Sequence, residues 1–201
     1  MAAVTSLVLA SSSPRRQELL GGLGIEFTVV PADVDESQHR GEKAIDYVER
    51  VARDKALAVV GKLGVGAAGD VVVLAADTTV DVDGEVLGKP LDDPDARRML
   101  RLLSDRTHQV HTAIVGWRIT GMQATTVTTD VTFVALDEAT IDWYLATGEH
   151  RDKAGGYGMQ GAAGALVARV DGNPTNVIGL PLPETVALLR ACGVSFLSPN
   201  R

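Results

Sequence analysis

The chain has 201 residues, 45% of them hydrophobic but only 4% aromatic, enough for a substantial core of Val, Leu and Ala in one domain or one domain with two lobes. With 26 acidic against 19 basic side chains the net charge is −7, which argues against a nucleic-acid polymer as partner but leaves room for a small anion held by a local basic cluster. No run of about 18 apolar residues and no basic-then-apolar leader pattern occurs, so a soluble, cytoplasmic protein without membrane contact is expected.

The apolar run Leu7-Val8-Leu9-Ala10 predicts a buried strand. Ser11, Ser12 and Ser13 follow, then Pro14, which suits a first helical turn because its missing N–H is not needed there. Leu19, Leu20 and Leu23 give that helix an apolar face, and Gly24 is expected to close it. The serines thus sit where strand becomes helix, at a terminus whose free N–H groups attract anions. Arg15 and Arg16 face the positive end of the helix dipole there, at a cost of roughly 0.3–1 kcal/mol each. An anionic ligand would reverse that sign and use their forked donors. The plainer alternative is a capping serine beside two solvated arginines.

Residues 27–30 read as a strand and 31–36, ending in Glu36, as an acidic loop, on its own no more than solvated charge. The spacing of Ile45, Val48, Val51, Ala52 and Ala56 predicts a helix from Glu42 to about Val60, with Lys55 on it. Residues 64–69 match G-x-G-x-x-G, but they follow a helix and precede a strand, the reverse of a dinucleotide fingerprint, and read as a connection. The strand predicted at 71–75 delivers Asp77 to its end, where a carboxylate needs a partner or a metal. Asp83-Gly84 suits a type I′ turn, so 80–82 and 85–87 form a hairpin whose return brings Lys89 close in sequence to Asp77.

Asp92, Asp93 and Asp95 precede a helical run and read as capping rather than metal ligands. His108 and His111 lack the glutamate and the helix of a zinc site. Strands are expected near 110–119, 125–134 and 165–170, and a capped helix from Asp137 to Thr147. Between them the stretch 148–161 carries four glycines within seven residues, implying close backbone approach or positive φ angles, bracketed by Lys153 and Gln160. Asn176 to Pro181 leads into a last helix that contains the single cysteine, Cys192, which reads as core packing.

Taken in order, Ser11-Ser12-Ser13-Pro14-Arg15-Arg16, Ala76-Asp77-Thr78, Gly88-Lys89-Pro90, the run from Asp152 to Gly161 and Asn176-Val177-Ile178-Gly179-Leu180-Pro181 resemble the Maf family over about residues 5 to 195. The resemblance implies a cytoplasmic nucleoside triphosphate pyrophosphatase, a family first linked to septum formation, with a house-cleaning role. It implies an α/β fold related to inosine triphosphatases, a mixed sheet in two lobes around a central cleft, spanning 1–201 as one domain and forming a homodimer. It places Ser11, Arg15 and Arg16 in the substrate loop, Glu36 and Lys55 in the cleft, Asp77 as general base, and Lys89 and Lys153 as further cleft lysines. Thr78 and Gln160, with Arg15, match positions associated with substrate choice. The Pro-Arg-Arg, Asp-Thr and Tyr-Gly-x-Gln-Gly forms look like the branch that prefers dTTP and UTP rather than 7-methyl-GTP. Thr79, Gly156 and Met159 depart from the usual residues without removing a charge.

On that reading a divalent cation, Mg²⁺ or Mn²⁺, takes oxygen ligands from Glu36 and Asp77, and Asp77 is proton acceptor or metal ligand. The alternative from another class is a regulator that binds triphosphates without hydrolysing them. It would need the basic cluster but neither carboxylate.

Overall fold

Seven strands form one mixed sheet in the computed structural model, which describes residues 6–64 and 71–195. The elements run β1 (Ser6–Leu9), α1 (Pro14–Gly21), β2 (Thr28–Val29), α2 (Ala44–Leu63), β3 (Val71–Val82), β4 (Glu85–Leu87), α3 (Asp93–Leu103), β5 (Thr107–Arg118), β6 (Gly121–Phe133), α4 (Glu138–Ala146), β7 (Val167–Asp171), α5 (Pro174–Ile178) and α6 (Leu182–Ala191). The sheet order is β2-β1-β3-β5-β6-β7, with β4 folded back on β3. β1 runs parallel to β2 and β3, and every pair from β3 to β7 is antiparallel. All but the first residue of the G-x-G-x-x-G match lies outside the described residues.

Strand alternation divides the core. Leu7, Leu9, Val72, Leu74 and Ile114 pack with Leu20 of α1 and Leu188, Leu189 and Cys192 on one face. Val8, Val73, Ala75, Ala113 and Val115 pack on the other against Val48, Ala52, Ala56 and Val59 of α2. Covered on both faces, these strands read in sequence as unbroken apolar runs rather than as alternating ones. Toward the far end of β3 a third cluster takes over. Val80, Val82, Val110, Val131 and Phe133 pack there with α3, α4 and Tyr157. The long strands thus pass from one packed half to another, and the cavity described below opens between the halves.

Several boundaries differ from expectation by a few residues, β6 for one starting at Gly121, and those of β3, α1 and α2 have identifiable consequences. β3 does not stop at residue 75. Its register with β5 continues from Val73 opposite Trp117 to Asp81 opposite Gln109, so Asp77 lies in mid-strand. α1 ends at Gly21, because the backbone tightens to i,i−3 bonds from Leu23 to Leu20 and from Gly24 to Gly21. α2 extends to Leu63. The Asp83-Gly84 turn has positive φ at both residues, as a type I′ turn requires. Asp92 and Asp137 cap α3 and α4 through the backbone N–H groups of Asp95 and Thr140. His108 and His111 are buried in β5, bonded to Tyr157 and Thr128. No helix among the described residues is long and apolar enough to cross a membrane.

Candidate active site

The site begins with the alternation of β3. Asp77 has the parity of Val73 and Ala75, so its carboxylate points at α2. Lys55 lies on the sheet-facing stripe of that helix, between Ala52 and Ala56. Its Nζ donates to Oδ1 of Asp77 at 2.7 Å, with both side chains 9% exposed, and to Oε1 of Glu36 at 2.8 Å. Partial burial alone would raise the Glu36 carboxyl. Lys55, Lys89 and Arg16 together outweigh that and hold it below its ordinary value.

Thr78 has the opposite parity and faces the other side of the sheet, directly across from Thr112 of β5. The two hydroxyls are 2.9 Å apart, and Thr112 donates to the carbonyl of Asn176. Arg16 reaches in from α1. Its Nε donates to the carbonyl of Gly179 at 2.8 Å and its Nη2 to Thr78 Oγ1 at 3.0 Å. Burial lowers the guanidinium's pKa, against the pull of Asp77. Ser11 accepts from the N–H of Ser13 at 3.2 Å and from Arg16 Nη1 at 3.4 Å.

β1 pairs with β3 only as far as Leu9 opposite Leu74. Beyond that point the chain leaves the sheet as the serine turn, and the edge of β3 at Asp77 and Thr78 opens to the cavity. Crevices at the carboxyl ends of parallel strands are where α/β sheets bind ligands. The first turn of α1 has no acidic residue and no side-chain cap, so its amide dipoles face the opening uncompensated.

The glycine-rich segment closes the opposite wall. Gly155 has φ +68°, and a Cβ there would stand 2.9 Å from Cγ2 of Val80, so only glycine lets the segment lie on β3. Its N–H donates to the carbonyl of Gly88, tying it to the Lys89 turn. Asp152, at φ +59°, swings the chain so that Lys153 enters the cavity and folds against Gly158, its ammonium donating to the carbonyl of Glu149. Burial, and then the like charge of Arg15, lower the Lys153 pKa.

The result is a cavity of about 390 Å³ into which all ten side chains singled out in the sequence converge: Ser11, Arg15, Arg16, Glu36, Lys55, Asp77, Thr78, Lys89, Lys153 and Gln160. Five cations there face the carboxylates of Glu36, Asp77 and Asp152, so a chain of net charge −7 carries a locally positive cleft. The cations differ in engagement. Lys55 and Arg16 are held by protein groups, Lys89 has only Glu36 at 3.8 Å, and Arg15 makes no hydrogen bond or ion pair among the described residues. It is Arg16, not Arg15, that meets Thr78. Lys55, placed in the cleft by the sequence, lines the cavity and bridges two carboxylates.

Sequence reasoning missed Tyr47, Thr112 and the carbonyl of Gly179. Tyr47 lines the cavity and donates to the carbonyl of Glu36, and its phenol is pushed up to about 12 by burial and then by Asp77 and Glu36. Its position on α2, two turns before Lys55, was the available signal. Thr112 left none, since its role depends on register with β3.

The Maf-like protein family matches residues 6–192. A protein named dTTP/UTP pyrophosphatase from Anaeromyxobacter dehalogenans (strain 2CP-C) is 54% identical over 191 residues, covering 93% of this chain and 94% of its own. Proteins of the same name from Methylobacillus flagellatus and Hahella chejuensis are 50% and 49% identical, each over 96% of this chain and over 96% and 94% of their own. Among solved structures, the Staphylococcus aureus Ham1 protein overlaps 64% of this chain and 72% of its own at TM-score 0.43 and 16% identity, a likeness too distant to add to the family match. The chain belongs to the Maf family.

Proposed function

We propose that this Maf-family chain hydrolyses dTTP and UTP between the α- and β-phosphates, giving a nucleoside monophosphate and pyrophosphate. The observation that carries the reading is the meeting of five cations and the Glu36–Asp77 carboxylate pair in one cavity. Relatives at about half identity are named dTTP/UTP pyrophosphatase, which supports the choice of substrate.

A triphosphate brings about four negative charges, and burying them without counter-charge would be prohibitive. Arg15, Lys89 and Lys153 supply that counter-charge, with the N–H groups of the first turn of α1. Arg16, Thr78 and Gln160 shape the part of the cavity that receives the base.

No group of three or more His, Cys, Asp or Glu side chains among the described residues could hold a metal ion alone. Glu36 and Asp77, however, are held beside each other by the Lys55 ammonium, which meets one oxygen of each, so the second oxygen of each carboxylate can turn to an ion in the cavity. Two hard carboxylate donors completed by phosphate oxygens and water are a usual setting for Mg²⁺ or Mn²⁺. When bound, such an ion would offset charge on the phosphates and make a water bound to it easier to deprotonate.

The protein's own part is positional and acid–base. Hydrolysis needs a water to lose a proton as it bonds to phosphorus, while the bridging P–O bond breaks and its electron pair leaves with the departing phosphate oxygen. Asp77, rigid in mid-strand, accepts that proton or holds the metal. The bond from Lys55 keeps it oriented at the cavity floor. A sensor that bound without hydrolysis would need the basic cluster but no proton acceptor beside the phosphates.

The test is to incubate the purified protein with dTTP, UTP, 7-methyl-GTP and the common purine triphosphates and to identify both products. Monophosphate and pyrophosphate from dTTP and UTP are expected. Orthophosphate with a diphosphate, or bound nucleotide left intact, would contradict the reading, and preference for 7-methyl-GTP would reassign the substrate.

A further inference from the structure

The connection from β2 to α2, residues 30–43, contains neither helix nor strand, yet it carries Glu36. The Glu36 side chain is 41% exposed. A glutamate that exposed, on an irregular loop, would ordinarily keep most of its rotamer freedom and would not stay beside Asp77. Residues on successive turns of α2 reach across to prevent this. Arg50 forks onto both oxygens of Glu42, at 2.7 and 2.8 Å, and donates to the carbonyl of Ser37 at 2.9 Å, which ties down the loop's far end. Lys55 takes the carboxylate of Glu36 but divides its charge with Asp77. The backbone of Glu36 has one other tie to the helix, the Tyr47 hydroxyl, which donates to its carbonyl at 2.9 Å. The Tyr47 ring is itself fixed. It packs on the α2 face of the core with Val30 and Ala32, and the Arg50 guanidinium lies 5.7 Å from its centroid.

We propose that Tyr47 is a positioning residue for Glu36: its hydroxyl holds the acidic loop so that the Glu36 carboxylate stays within reach of Asp77 and of a metal the two share. The inference rests on the metal-assisted reading above. Groups that orient metal ligands, without touching the metal, commonly set its affinity.

The test uses the full chain, with Mn²⁺ as the probe and α,β-imido-dUTP, which cannot be cleaved at that bond, filling the cavity. Mn²⁺ binding is measured by water proton relaxation for the unaltered protein, Tyr47→Phe, Glu36→Gln and the double variant. Tyr47→Phe keeps the ring and its packing and removes one hydrogen bond, and a thermal melt checks that it folds. It is expected to weaken Mn²⁺ binding by roughly three- to tenfold. The metal concentration for half-maximal UTP hydrolysis should rise in step, while kcat at saturating metal is retained. In the Glu36→Gln background the same change should alter Mn²⁺ affinity by less than about twofold, because the ligand being positioned is gone. Equal weakening in both backgrounds, or a change in nucleotide affinity alone, would make Tyr47 structural or a nucleotide contact and overturn the proposal. Unchanged Mn²⁺ binding in Tyr47→Phe would overturn it too. Failure of the unaltered protein to take up Mn²⁺ at all would instead overturn the metal-assisted reading, and the inference with it.

Discussion

The Lys55 ammonium lies 2.7 Å from Oδ1 of Asp77, and with 9% of each side chain exposed this pair joins α2 to the middle of β3 at the floor of the cleft. Because the same ammonium also meets Glu36, one lysine holds two carboxylates that would otherwise repel each other and drift apart.

Lys55→Met should therefore destabilise the nucleotide-free protein by about 3–5 kcal/mol, the usual consequence of leaving a buried charge unpaired. Adding Asp77→Asn to it should recover a large part of the loss, because the stranded charge is then removed as well. Urea unfolding of the single and double variants measures both. Additive losses would mean that the pair is not coupled as its geometry implies.

Thr78→Val keeps the side chain's shape and removes the hydroxyl that receives Arg16 and meets Thr112. Arg16 then retains its bond to Gly179 but loses its register on β3. We expect kcat/KM for dTTP and UTP to fall about fivefold relative to purine triphosphates, the scale of one hydrogen bond. Gln160→Ala should also shift the ratio. A uniform loss across all triphosphates would move these residues from base choice to phosphate binding or folding.

Acid sensitivity follows from the clamp on the acidic loop. The forked bond from Arg50 holds the Glu42 carboxyl down at about 2, against an ordinary 4.5. Its folded pKa lies below the unfolded one, so the stability it supplies is present above about pH 4.5 and is lost as pH falls toward 2. Glu36 is shifted in the same direction. The stability gap between the unaltered protein and Glu42→Gln, read by denaturant unfolding, should therefore be larger at pH 7 than at pH 3. A gap that widened on acidification would contradict the assignment.

Much of this was legible in the sequence because it is local. The strand–serine–proline turn, the Asp83-Gly84 hairpin and the caps at Asp92 and Asp137 depend on neighbours in the chain, and so does the apolar run that leads into Asp77. Ordered motifs were enough to gather the ten residues of the cavity. What each residue does within it was not legible, because that depends on partners far apart in sequence. Arg16 rather than Arg15 meets Thr78 because of how α1 lies against β3, and Thr112 faces Thr78 only through the β3–β5 register. Lys55 reads as a loose cation until the parity of β3 turns Asp77 toward it. The end of β3 was misplaced for the same reason. Polar residues from Asp77 to Thr79 interrupt the apolar run, while the antiparallel partner carries the strand on.

The central claim is that Asp77 takes part in breaking the phosphoanhydride rather than merely shaping a binding site, and Asp77→Asn tests it most directly. The change keeps the size of the side chain and removes its charge and most of its basicity. UTP turnover should fall by at least roughly 10²-fold, as for loss of a general base. Affinity for α,β-imido-dUTP should stay within about tenfold, because the basic cluster is intact and a carboxylate that repels phosphate is gone. Turnover of the folded variant within a fewfold of the unaltered protein would contradict the account and move the search for the reacting carboxylate to Glu36.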